Sequence, residues 1–171
     1  MLILLCSILL AAQFAGAQGA GLTEYQIKAA FLYNFAKFIE WPADMGILNL
    51  CIFGDDHFGR DIDDLERKTA AGKILSVERI KSVQEIKKCR ILFISSSENE
   101  RLDSILTAAQ GLNILTVGDT EGYAERGVII NFYKEQNKIR FEINKDAAER
   151  SGVKISSKLF SLARIVHDRG D

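Results

Sequence analysis

Cys89-Arg90-Ile91-Leu92-Phe93-Ile94-Ser95-Ser96-Ser97-Glu98 is the stretch whose reading decides the fold. Residues 90–94 are apolar at four of five positions, which predicts a strand buried on both faces, as parallel strands are. The serines that follow are capping residues. They predict a helix over 98–109, with Leu102, Ile105, Leu106 and Ala109 on its apolar side and Gly111 ending it. A strand hidden on both faces that feeds directly into a helix is the unit from which α/β folds are built.

The pattern extends in both directions. Upstream, 47–53 reads as a strand ended by Gly54-Asp55-Asp56, 58–71 carries helical spacing through Ile62, Leu65 and Lys68, 73–80 is a strand and 83–86 a short helix. Downstream, 113–117 and 127–133 are strands separated by a short turn or helix over 118–124. There the alternation changes. Glu135-Gln136-Asn137 is a polar turn, and Lys138-Ile139-Arg140-Phe141-Glu142-Ile143 alternates, which predicts an antiparallel hairpin with a polar face. Asn144 caps a helix over 145–150, and Ser156-Ser157 cap a last amphipathic helix running through Leu159, Phe160, Leu162, Ile165 and Val166. Right-handed crossovers then give a Rossmann-like three-layer α/β domain with a mostly parallel sheet and an antiparallel C-terminal hairpin. Pro42 is the only proline and no repeat or linker is visible, so residues 18–171 are expected to form one domain.

Before this series lies an aromatic-rich helix over 25–39 that stops at Trp41-Pro42. Ile27, Ala30, Phe31, Asn34, Phe35 and Phe38 recur at three and four residues and predict one buried face, with Glu24, Lys28, Lys37 and Glu40 off it. Residues 1–17 carry no charge, hold an apolar run over 2–12, and end in Ala15-Gly16-Ala17, the small-x-small pattern of a signal peptide cut near Ala17. Export would leave Cys51 and Cys89 in an oxidising compartment, where they are most simply read as a disulfide; buried reduced thiols are the alternative if the leader is not a signal. A bridge from the first strand to the start of the third suits a sheet in which those strands are neighbours.

Charge and motifs narrow the function. The net charge is -1 and the charges are mixed along the chain, so neither nucleic acid nor an anionic bilayer is an expected partner. In open α/β sheets ligands sit beyond the carboxyl ends of the strands, which makes Asp55, Asp56, Ser95, Ser96 and Asp119 the candidate cleft. No phosphate-binding glycine loop and no Gly-x-Ser-x-Gly occurs. Asp55, Asp56 and His57 with Asp61 or Asp119 have metal-ligand chemistry, but the two aspartates serve equally as caps for the helix that follows, so neither a metal nor another cofactor is expected. Two histidines, with His167 in a solvated tail, supply little for a nucleophile-base set, and catalysis is not expected. Phe141, Ile143, Leu159, Phe160 and Arg164, on an expected edge strand and last helix, are the candidate partner-binding residues, and a homodimer is the expected assembly.

The run Lys28-Ala29-Ala30-Phe31-Leu32-Tyr33-Asn34-Phe35-Ala36-Lys37-Phe38-Ile39-Glu40-Trp41-Pro42 resembles the signature of the YfiR family of periplasmic proteins. Cys51-Ile52-Phe53-Gly54-Asp55, Cys89-Arg90-Ile91-Leu92-Phe93-Ile94, Gly118-Asp119 and Ile155-Ser156-Ser157-Lys158-Leu159-Phe160-Ser161-Leu162-Ala163-Arg164 extend the likeness, in order, over nearly the whole mature chain. The resemblance implies a non-catalytic periplasmic regulator that represses a membrane-bound diguanylate cyclase, YfiN, through its periplasmic portion and so lowers cyclic di-GMP. It also implies that an outer-membrane lipoprotein sequesters the repressor, and it matches Cys51 and Cys89 to the family's structural disulfide. This chain lacks the second cysteine pair that some members carry toward the C-terminus. The other reading consistent with the residues is a small-molecule-binding sensor domain serving a histidine kinase or another membrane receptor.

Overall fold

The computed structural model describes residues 21–170; the expected signal peptide lies outside them. Helix α1 (Glu24–Phe38) starts where Thr23 accepts from the Gln26 N–H while the Gln26 side chain accepts from the Thr23 N–H, so two orphan donors are satisfied reciprocally. It ends where Ile39 turns extended, and the Trp41 indole closes the last turn by donating to the Ala36 carbonyl at 2.7 Å.

The strands are β1 (Ile47–Phe53), β2 (Thr69–Ala70), β3 (Lys73–Ile80), β4 (Ile91–Ile94), β5 (Leu115–Gly118), β6 (Ile130–Glu135), β7 (Lys138–Asn144) and β8 (Arg164–Val166). They form one sheet in the order β2-β3-β1-β4-β5-β6-β7-β8. The block from β3 to β6 is parallel, β2 and β7 run antiparallel to their neighbours in that block, and β8 lies parallel to β7. Helices α2 (Arg60–Asp63), α3 (Leu102–Ala109), α4 (Lys145–Ser151) and α5 (Ser157–Phe160) complete the layers. One face of the sheet packs against α1, with Leu32 and Phe35 buried there beside Leu50, Phe93, Phe132 and Phe141. The other packs Phe53, Leu92 and Ile94 under α3 and the 3-10 turn Val83–Lys88. The expected three-layer α/β architecture is observed.

Cys51 and Cys89 are bonded, with Cα atoms 5.8 Å apart, and both are fully buried. The neighbouring placement of β1 and β4 brings them together.

Three expected helices are cut short: over 98–109 the α-helix begins only at Leu102, after a 3-10 stretch Ser96–Arg101. Over 58–71 only α2 forms, because the chain then reverses to pair with β3: the Arg67 N–H donates to Leu75 O and the Leu75 N–H to Lys68 O. Arg67 and Ala71 take positive φ (63° and 50°), which a helix cannot include. The last helix stops after α5, and Arg164-Ile165-Val166 become strand β8. The β-branched pair favours a strand, and β7 offers an unpaired edge for it. In consequence β7 is an interior strand, and Phe141 and Ile143 are buried rather than edge-exposed.

The disulfide closes a loop with a sequence separation of 38. Replacing both cysteines with alanine is expected to lower stability by about 4 kcal/mol in the chain-entropy account, read as a lower urea midpoint with an unchanged far-UV spectrum.

Candidate functional site

The strand order sets β1, β4 and β5 side by side, so the loops after them meet at one edge of the sheet. The first two close against each other. Gly54 has φ +94°, and a Cβ there would come 2.8 Å from Glu98 Cγ, so only glycine fits. The Asp55 N–H donates to Ser97 Oγ at 2.9 Å. Asp56 is spent on structure: Oδ1 accepts from the Phe58 and Gly59 N–H groups, and Oδ2 accepts from Arg79 Nε and Nη2 at 2.9 and 2.8 Å. Ser95 is fully buried, while Asp55 and Ser96 are exposed. The expected cleft therefore does not gather these four residues; only Asp119 lines one. His57 is exposed with its ring 5.5 Å from that of Tyr25, and among the described residues no group of three acidic, histidine or cysteine side chains is placed to hold a metal ion.

Asp119 follows β5 and meets the first turn of α1. Lys28, read from the sequence as lying off the apolar face, is only 3% exposed. Its Nζ sits 2.7 Å from Asp119 Oδ2 and 2.6 Å from Glu24, and the Tyr25 hydroxyl donates to the same Asp119 oxygen at 3.0 Å. Burial, with the Asp119 charge beside it, pushes the Tyr25 phenol above its ordinary range, so it stays a donor. Glu24 is held below the usual carboxylate range by Lys134 and Lys28, against the opposing effect of burial. A buried lysine is tolerable because two carboxylates compensate it.

A second polar row crosses the sheet in register from Gly118 through Asn131 and Glu142 to Arg164. Asn131 Nδ2 donates to Glu142 Oε1 at 3.1 Å and to Thr120 O at 3.0 Å. Glu142, 3% exposed, accepts on its other oxygen from Arg164 Nε at 3.0 Å, and the Arg164 guanidinium lies 4.0 Å from the centre of the Tyr133 ring. Hydrogen bonding to Glu142 raises the Arg164 pKa further above its ordinary value. At Gly118 a Cβ would approach Tyr123 Cδ2 to 2.6 Å, so the row needs glycine at that point. Between the two polar groups, the 119–125 loop and the β6–β7 hairpin lies a cleft of about 910 Å³.

The candidate partner-binding residues divide. Phe141, Ile143 and Leu159 are 5%, 0% and 2% exposed and belong to the core, so no partner reaches them without opening it. Phe160 is half-buried and Arg164 is at the surface. Leu162 and Ile165, assigned from the sequence to the apolar side of a buried helix, are 65% and 42% exposed. Residues 167–169 are not a loose tail: His167 Nδ1 lies 3.0 Å from Asp146, Asp168 accepts from Asn144 Nδ2 at 2.8 Å and from Arg150, and the Arg169 N–H donates to Glu125 O.

A family model described as YfiR/HmsC-like matches residues 25–164. The chain belongs to the YfiR/HmsC-like family. Membership supports a periplasmic regulatory role in cyclic di-GMP signalling, as a regulator rather than an enzyme. Among the described residues no helix is long and apolar enough to cross a membrane.

Solved structures share the fold at low identity. An ABC domain in complex with L-Trp from Streptococcus pneumoniae aligns at TM-score 0.55 and 11% identity, over 81% of this chain and 60% of that one. A conserved domain protein from Vibrio cholerae aligns at 0.54 and 13%, over 84% and 60%. The ligand-free, open form of a substrate binding protein with adhesive properties from Clostridium difficile aligns at 0.52 and 11%, over 82% and 58%. The YfiR/HmsC-like chain thus spans about three fifths of each of these proteins.

Two outcomes test this geometry. Lys28→Met strands the Asp119 carboxylate and is expected to destabilise by about 3–5 kcal/mol, whereas Lys28→Met with Asp119→Leu recovers most of the loss; urea titration of both variants reads the difference. Asp168 is held below its ordinary value of 3.8, chiefly by its hydrogen bond from Arg150. Its contribution is complete above 3.8 and is lost as the pH falls through the lowered folded value. Amide protection factors at residues 164–169, corrected for intrinsic exchange, should therefore fall on acidification below 3.8. Because Asp146, which accepts from the Asp168 N–H, is also held below its ordinary value, Asp168→Asn should shrink that fall and Asp168→Asn with Asp146→Asn should remove it.

Proposed function

We propose that this chain is a non-catalytic periplasmic regulator that binds and represses a membrane-bound diguanylate cyclase, lowering cyclic di-GMP. The observation that carries the reading is the match to the YfiR/HmsC-like family over residues 25–164. Two features support it. Two of the carboxylates at the strand ends are engaged within the chain, Asp56 with Arg79 and Asp119 with Lys28. Leu162 and Ile165 stand exposed on and beside the free edge strand β8, where a partner segment can add backbone hydrogen bonds and cover apolar side chains.

On this reading the contact surface is Phe160, Leu162, Arg164 and Ile165, and the partner is the periplasmic portion of the cyclase. A leader over residues 1–17 delivers the chain to the periplasm, residues 18–171 act as one domain, an outer-membrane lipoprotein competes for the chain, and a homodimer uses the same edge.

Deleting the gene is expected to raise cyclic di-GMP only in cells that carry the cognate cyclase, and Leu162→Asp with Ile165→Asp should reproduce the deletion while the purified variant keeps its fold by circular dichroism. Unchanged nucleotide levels in the deletion would overturn the reading.

A further inference from the structure

The cleft beside Asp119 takes no part in the repression proposed above, and only Arg164 is common to both. Its floor holds three charged side chains withdrawn from water: Lys28 at 4% exposure, Asp119 at 7% and Glu142 at 4%. Buried ion pairs stabilise a fold no better than apolar pairs of the same volume, so packing alone gives no reason for charges here. Ionisable groups kept at the mouth of a concave site, beyond the carboxyl ends of parallel strands, are the arrangement of a ligand site.

The chemistry of the ligand follows from how these charges are satisfied. Lys28 faces Glu24 and Asp119, Arg164 faces Glu142, Lys134 faces Glu24 at 2.5 Å and Arg169 faces Glu125 at 3.8 Å. Glu121 is the carboxylate of the lining with no basic partner among the described residues, so five carboxylates face four cations; the small negative excess disfavours an anion and leaves a neutral ligand favoured. Hydrogen-bonding capacity remains. Both bonds that Asp119 accepts end on Oδ2, so Oδ1 has no donor among the described residues. Lys28 has three N–H groups and two carboxylate partners. A free acceptor and a free donor at one ion pair match two adjacent hydroxyl groups. The half-buried Tyr133 ring supplies an aromatic surface for C–H faces.

We propose that this cleft binds a neutral saccharide of one or two rings, with Asp119 Oδ1 accepting from one hydroxyl and Lys28 Nζ donating to its neighbour. About 910 Å³ lies within the ~300–1,000 Å³ range of small-ligand sites.

The mature chain is titrated with glucose, galactose, maltose, sucrose and trehalose, with citrate and glutamate as the ionic comparison, by calorimetry and by 15N-resolved amide shifts. At least one saccharide should bind saturably and shift the amides of Asp119, Asn131 and Tyr133. Asp119→Asn and Tyr133→Leu should each weaken that binding by about tenfold or more, the equivalent of one good polar or aromatic contact. Tyr133→Leu keeps the test open if the Asp119 variant fails to fold. The proposal is overturned if no saccharide shifts these amides, if binding survives both substitutions unchanged, or if citrate or glutamate fills the cleft instead. None of these results bears on cyclic di-GMP levels, which report on repression separately.

Discussion

The structure depends on the seam where the first helix meets the last hairpin. Phe31 and Phe35 of α1 pack against Phe132 of β6 and Phe141 of β7, with ring centres 5.0–5.8 Å apart across the two elements. Such pairs contribute about 0.5–1.5 kcal/mol each beyond their area burial. The contact joins residues about a hundred positions apart, so it forms only once the parallel sheet between them is in place. One end of the helix is tied by Lys28 to Asp119. The other is tied by the bridge between Ile39 and Ile155 and by the Trp41 side chain on the Ala36 carbonyl. The position of the hairpin in turn fixes the cleft wall and the register in which Glu142 meets Arg164, and hence where β8 and its exposed apolar pair lie.

Much of this was legible in the residues because the deciding signals were local. The doubly buried strand at 91–94, the Asn144 and Ser156 caps and the alternating hairpin each reflect chemistry within a few positions, and the cysteine pairing was read from two thiols left in an exported domain. Ser95 makes no side-chain cap, and Ser97 accepts from the Asp55 N–H instead. What escaped was set by distant partners. The spacing at Ile62, Leu65 and Lys68 suits a helix, but an antiparallel reversal onto β3 competes for the same backbone and prevails. Ile165 and Val166 fit an amphipathic helix as well as a strand, and only the unpaired edge of β7 decides between them.

The site was less legible than the fold for the same reason. Strand-end carboxylates are where an α/β sheet invites a search, yet Asp56 serves Arg79 and Ser95 lies in the core. Lys28 looked solvated because one of its two compensating carboxylates, Asp119, is 91 residues away. A trace of signal existed in Asn131 and Glu142, polar residues on otherwise apolar strands, which is the mark of a buried network. Exposure at Leu162 and Ile165 left no mark that separates them from core residues of similar type.

A sheet clamped by a disulfide, with Asp56 and Asp119 paired internally and an apolar edge left open, accords with the proposal that the domain acts by being bound. Mixing the purified mature chain with the periplasmic portion of a membrane-bound diguanylate cyclase from the same cells, and following the complex by sedimentation with hydrogen exchange, tests that claim directly. A stoichiometric complex that protects the amides of residues 160–166 is the expected result. No association at concentrations well above those in the periplasm, or protection confined to other surfaces, would contradict it.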